Sequence, residues 1–316
     1  MSAPIDSFVT LATRYVAERR ALGFALTIAG DQLLAFARFA DAHTTAPRLT
    51  VAIVVAWAQS VPAVSAVTWA RRVEIVRPFA RFLRQHDPTT EVPPPGLLGR
   101  AHRRLAPHVC TPREIADLLA HSRQLAPAGG PRAETLTTVF ALLACTGLRV
   151  SEALHLQRDD VDLTTGVLHI RQTKFRKARL VPLHPSAVAA LQRYVAGRAD
   201  TPTTGAAFFV SAGGRPLRYW QLRHAFQRIR GRLDWPSPRA HGPRIHSLRH
   251  AFACQRLLAW HHAGVDVETR LLDLVTYLGH AKVSDTYWYL SGVPDLLALV
   301  GARFERFVAA EAEGRS

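Results

Sequence analysis

The sequence predicts a mainly α-helical protein with a small antiparallel β-sheet, organised in two domains. Three observations carry this. Apolar residues recur three and four positions apart over most of the chain, the spacing of helices with one buried face. One stretch, GVLHIRQTKFRKARLVPL at 166–183, instead alternates with period two on both arms of a basic bend, as a hairpin does. A proline- and arginine-rich stretch over 91–110 separates two apolar-rich regions, and 316 residues, 48% of them hydrophobic, are enough for two cores.

In chain order, IDSFVTLATRYVAERRALG, AGDQLLAFARFADAH, LTVAIVVAWAQS and AVSAVTWARRVEIVRPFARFLRQHD read as four helices, bounded by Gly, Pro and Thr clusters, and define a first domain over 1–90. The fourth carries Arg71, Arg72, Arg77, Arg81 and Arg84 beside Trp69 and Phe79, and is expected to present a phosphate-contacting face. The linker, 91–110, is too rich in proline for regular structure, and its Arg103 and Arg104 are expected to track a DNA backbone. The second domain, 111–316, opens on TPREIADLLAHS, where Thr111, Pro112 and Glu114 form a capping-box pattern. Beyond the hairpin, FFVS at 208–211 reads as another short strand, and the rest has helical period.

The formal charge is +16, with 13 Arg against 7 acids up to residue 105 and 27 Arg or Lys against 17 acids after it. Charge spread over both halves suits a polyanion, and nucleic acid is the partner it points to. Three distant cysteines without a CxxC pair give neither a disulfide framework nor a cysteine-rich metal site. MSAPIDSF has no signal-peptide pattern, and the longest apolar run, VAIVVAWA, is too short to span a bilayer. A cytoplasmic protein without membrane attachment is expected.

Three clusters could carry chemistry. ACTGLRVSEALHL puts Arg149 at the start of a helix, after Gly147 has ended the one before. IHSLRH sets His246 and Arg249 one turn apart. His246 and His250 also have the spacing of a zinc protease, but Ser247 stands where that chemistry needs Glu. The third cluster, LGHAKVSDTYWYLSG, holds His280, Tyr287 and Tyr289. Only three lysines occur, Lys174, Lys177 and Lys282, in a chain that otherwise uses Arg for its cations.

Arg in TGLRVSE, Lys in a hairpin before RLVPL, His and Arg in HSLRH, His in LGH and Tyr nine residues later together resemble the tyrosine recombinases of the phage-integrase family, over the whole chain. DTYWYLSGVPDLL further resembles recombinases carried by transposons and clustered integrase arrays. The resemblance implies a helical core-binding (SAM-like) domain followed by a catalytic domain. It also implies attack of a tyrosine oxygen on a DNA phosphodiester, giving a 3'-phosphotyrosine and a free 5'-hydroxyl, without ATP. Arg149, Arg249 and His280 are then the donors to the charged phosphate oxygens, and His246 orients the phosphate and handles the tyrosine proton. Matching the hairpin selects Lys174 over Lys177 as the acid for the leaving 5'-oxygen, a role an arginine fills poorly.

On a helix, side chains two apart diverge by about 200°, so Tyr287 and Tyr289 cannot both face one phosphate. The family's spacing selects Tyr289 as nucleophile. No cofactor and no metal are implied. The implied partners are double-stranded DNA with a core site of inverted repeats and a homo- or hetero-tetramer with related recombinases, at the nucleoid. A type IB topoisomerase-like relaxase would share the chemistry, and a catalytically inactive DNA-binding accessory protein would share the fold.

Overall fold

Four helices make the first unit of the computed structural model: α1 (Phe8–Ala21), α2 (Thr27–His43), α3 (Val51–Gln59) and α4 (Ala66–Arg84). The structure describes residues 6–44, 48–62, 64–101, 108–171, 178–199, 202–236, 242–280, 282 and 286. It divides into two compact units, Met1–Arg104 and Leu105–Ser316. Each helix turns its apolar stripe inward, and Phe8, Val16, Leu33, Phe36, Trp57, Val76 and Phe79 form one core. Phe36 meets Trp57 edge-on at 5.3 Å. Asp41 of α2 accepts from the free backbone N–H groups of Phe8 (2.8 Å) and Val9 (3.1 Å), capping α1 from a neighbouring helix.

Residues 91–101, expected to belong to a linker, lie along this unit. Val92 and Leu98 pack on its core, Glu91 N donates to Leu49 O, and the Glu91 carboxylate accepts from Val51 N at 2.8 Å.

The second unit contains α5 (Pro112–Arg123), α6 (Pro131–Thr146), α7 (Val150–Leu154), β1 (Val161–Asp162), β2 (Val167–Ile170), β3 (Arg179–Pro182), α8 (Pro185–Gly197), α9 (Tyr219–Arg232), α10 (Ser247–His262) and α11 (Val267–Leu278). The capping box holds at α5, with Thr111 and Glu114 bonded reciprocally. The sheet is antiparallel in the order β1-β2-β3, with Leu168 opposite Val181 and Ile170 opposite Arg179. Leu168, Ile170 and Val181 reach the core while His169 and Leu180 face out, the alternation that marked the hairpin. FFVS is not a strand of this sheet. Its neighbours Gln157 and Ala207 form one isolated bridge and Val210 and Pro216 another, while Tyr194 Oη accepts from Val210 N and Arg198 donates to Phe208 O. These two side chains supplement short backbone pairings, in which Phe208 N donates to Leu156 O, Leu217 N to Phe209 O and Ser211 N to Arg215 O.

Two tight chain reversals border α10 and β3. Gly147 ends α6 with φ 62° and Gly279 follows α11 with φ 66°, left-handed conformations that disfavour any residue with a Cβ. A Cβ on Gly147 would stand 2.6 Å from the Phe252 ring, and one on Gly279 would stand 2.7 Å from the Arg179 guanidinium. The chain passes here at van der Waals distance from both elements.

Candidate active site

Arg249 lies in the first turn of α10, in phase with Phe252 and beside Leu248, and is only 2% exposed. A guanidinium this deep needs full hydrogen bonding. It donates to Gly147 O at 2.6 Å, just past α6, and to Leu278 O at 2.8 Å, at the end of α11, where the helix dipoles are negative. Arg149 stands two residues beyond Gly147, at the N-cap of α7. Its backbone N–H donates to Glu152 (3.0 Å), and its guanidinium donates to Glu152 (2.8 Å) and to Gly279 O (2.9 Å).

Glu152, 3% exposed, also accepts two bonds from Arg179 at 3.0 and 2.8 Å. Burial raises its carboxyl, but the Arg179 and Arg149 bonds outweigh this and hold it below the usual range. One carboxylate therefore stands against two guanidiniums, so this trio carries a net positive charge.

His246 and His250 are held neutral. His246, at the N-cap of α10, keeps an exposed edge, yet surrounding protein and the charges of Arg249 and Arg149 push it down to about 4. His250, one turn on, meets the His246 ring edge-on at 4.7 Å; burial first, then His246, Arg249 and His280, push it to about 3. His280 follows Gly279 directly. Its backbone N–H bonds Val275 O, and its Nδ1 lies 2.6 Å from Thr286 Oγ1. At neutral pH the arrangement presents forked cationic donors beside neutral imidazoles, suited to holding a phosphodiester and passing a proton.

Of the residues expected from sequence, Arg149, His246, Arg249 and His280 are thus brought together, while Lys174, Tyr289, Arg103 and Arg104 lie outside the described residues. In the first unit, Arg81 is exposed, Arg71 is exposed with its Nε on Ala101 O (3.0 Å), and Arg72 stacks 4.0 Å over the Trp57 ring. Arg77 corrects the expectation. It is 7% exposed, paired with Glu74 and bonded to Pro93 O (2.9 Å) and Pro94 O (2.7 Å), so its donors face inward.

In the sequence, Arg179 stands out only as part of the hairpin. Its signal is phase: two residues before the buried Val181, it sits on the inward side of β3, and an inward arginine requires a buried partner. Nor does the sequence single out the exposed Tyr219 and Trp220 on the arginine-rich α9, which carries Arg223, Arg228, Arg230 and Arg232. His108, Cys110 and Glu114 bring a nitrogen, a sulfur and a carboxylate oxygen within 4.8 Å, which no spacing announced. Both Glu114 oxygens already contact His108 Nε2 (3.0 and 3.1 Å), one also caps Thr111 N, and burial then Glu114 push the Cys110 thiol up to about 12. These groups serve the start of α5.

The profile of the Phage integrase family matches residues 108–292, a span that contains every part of this cluster. The chain belongs to the phage integrase family. Among its relatives, the protein described as "Putative integrase/recombinase y4rB" of Sinorhizobium fredii is 37% identical over 315 residues, 96% of this chain and 98% of that protein. Tyrosine recombinase XerD of Mycobacterium tuberculosis is 36% identical over 239 residues, 72% of this chain and 70% of XerD. The fold is shared with the Tn1549 transposon integrase solved with transposon right end DNA (TM-score 0.67, 16% identity, 96% of this chain and 100% of that one). It is also shared with a lambda integrase dimer bound to a core site (TM-score 0.64, 17% identity, 89% and 76%). As a family member the chain is a tyrosine site-specific recombinase, an enzyme of DNA strand cleavage and joining. Among the described residues, no helix of this integrase is long and apolar enough to cross a membrane.

Proposed function

We propose that this recombinase cuts and exchanges strands at a core site of inverted repeats on a mobile element, within a tetrameric synapse at the nucleoid. The observation that carries the reading is the pair Arg149 and Arg249, each fixed on backbone carbonyls at a helix end beside neutral His246. Donors held in place before the substrate arrives need no reorganisation as charge grows on the non-bridging phosphate oxygens. Tyr289 attacks phosphorus and the 5'-oxygen leaves. His246, neutral at pH 7, accepts the tyrosine proton; Lys174 protonates the leaving oxygen; His280 donates to the phosphate. Attack by the 5'-hydroxyl of another strand reverses the step.

Arg71, Arg72, Arg81, Arg103 and Arg104 are assigned to the DNA backbone, with Arg71 and Arg81 favoured by their exposure on α4. In the second unit, the exposed Tyr219 and Trp220 and the arginines of α9 are assigned a DNA contact of their own.

The experiment uses nicked duplexes of randomised core sequence, from which the full-length protein captures those it joins covalently. Sequencing the captured DNA gives the site. On that site Tyr289→Phe is expected to abolish the adduct and Tyr287→Phe to retain it; the opposite result would sink the nucleophile assignment. Supercoil relaxation without site preference would favour a topoisomerase-like activity, and no adduct at all an accessory role.

A further inference from the structure

The end of α11 offers three consecutive carbonyls, and a different arginine occupies each. Tyr277 O accepts from Arg179 Nε (2.8 Å), Leu278 O from Arg249 (2.8 Å) and Gly279 O from Arg149 (2.9 Å). Arg179 spends its remaining donors on Glu152, the same carboxylate that holds Arg149. Its side chain is 9% exposed, and that of Glu152 is 1% exposed.

We propose that Arg179 is a positioning residue for strand cleavage, acting on the scissile phosphate through Arg149. This rests on the reading of Arg149 as a phosphate donor. Two effects combine. By taking a bidentate share of Glu152, Arg179 keeps that carboxylate from neutralising Arg149 alone and leaves Arg149 charge for the phosphate. By holding Tyr277 O, it fixes the helix end on which Arg149 and Arg249 are both seated. Lysine cannot replace it in full, because one ammonium cannot reproduce a planar fork bonded to a carboxylate on one side and a carbonyl on the other.

The reaction supplies a test. In cleavage the bond from Tyr289 oxygen to phosphorus forms, the bond to the 5'-oxygen breaks, and the leaving oxygen takes a proton. None of this changes when a methyl group replaces one non-bridging oxygen, but such a methylphosphonate is uncharged and asks less of the guanidiniums. Adduct formation by full-length Arg179→Met and Arg179→Lys would be timed on the captured site, with phosphodiester or methylphosphonate at the scissile position, and with Arg149→Ala alongside.

The expected result is a loss of about tenfold to a hundredfold on the phosphodiester for Arg179→Met, a much smaller loss on the methylphosphonate, and Arg179→Lys in between. Arg149→Ala should show the same dependence on substrate charge. Equal losses of the Arg179 variants on both substrates, with Arg149→Ala still discriminating, would reduce Arg179 to a structural residue and overturn the proposal alone. If Arg149→Ala itself fails to discriminate, the underlying reading of Arg149 falls and the inference with it. Should Arg179→Met not fold by its melting curve, the Arg179→Lys comparison decides in the same way.

Discussion

Arg77 in the first unit and Arg249 in the second are both buried, at 7% and 2% exposure, and both donate to backbone carbonyls far away in sequence. Their surroundings differ. Arg77 has a carboxylate of its own, Glu74 one turn back, and its donors end on the strap of residues 93–94. Around Arg249, the carboxylate Glu152 is divided between Arg149 and Arg179, and two histidines are kept uncharged. Burial of an arginine therefore does not by itself mark a site. What marks it is a neighbourhood that leaves positive charge for a substrate to balance.

The largest effect that would break this comparison concerns the two arginines themselves. Arg249→Ala is expected to lower covalent adduct formation by about three orders of magnitude, as removal of a preorganised anion donor does. Arg77→Ala should instead destabilise the first unit by roughly 1–3 kcal/mol, the usual cost of leaving buried carbonyls, here those of Pro93 and Pro94, without their donor. In conditions where it remains folded, it should cleave a bound site at close to the normal rate. Melting curves and single-turnover cleavage on both variants separate the two outcomes; a cleavage defect of Arg77→Ala equal to that of Arg249→Ala would erase the distinction.

Next in size is the pH response. The unfolded chain binds a proton at each imidazole near pH 6.5, whereas folded His250 resists until about 3. The stability tied to it is complete above about pH 6.5 and is lost as pH falls towards 3, by up to about 1.4 kcal/mol per pH unit. Glu152, lowered in the folded state, adds loss in the same direction below its unfolded value. Urea midpoints between pH 7 and 4.5 should fall steeply for the normal protein and less for His250→Gln. With His246 neutral down to about 4, the acid limb of cleavage should lie well below that of a free imidazole. A limb at pH 6.5 would mean that neither burial nor the charges of Arg249 and Arg149 act on His246 in the working enzyme.

The smallest effect belongs to the surface of α4. Arg81→Gln should weaken DNA binding evenly across sequences and reduce the slope of log affinity against log salt by about one, with cleavage of saturated substrate unchanged. Arg77→Ala should leave that slope alone.

Much of the fold is legible in the chain because it rests on periodicity and on turns. The four first-unit helices, the hairpin, the Gly147 reversal and the start of α10 each follow from spacing or from one conformationally special residue. His246 and Arg249 are readable because a single helical turn brings them together. The pairing of β1 with β2 is not, since Val161–Asp162 is too short to show a period. FFVS has strand composition, but its backbone pairs through short bridges to Leu156 and to residues 214–217, with Tyr194 and Arg198 taking Val210 N and Phe208 O, which nothing local announces. Counting charge without phase misjudges Arg77: it lies four residues after the buried Val73 and three before the buried Ala80, on the inward face of α4. The joining of Glu152 to Arg179 spans 27 residues and two elements, a distance over which sequence pattern is silent.

The three-carbonyl end of α11 has a consequence for how damage accumulates in this enzyme. Separate supports fail separately, and their losses add. Here Arg149, Arg179 and Arg249 share anchorage on adjacent residues, so the first injury to that turn removes most of what later injuries could take. Gly279, which contributes no side chain, then stands among the least replaceable residues of the catalytic unit.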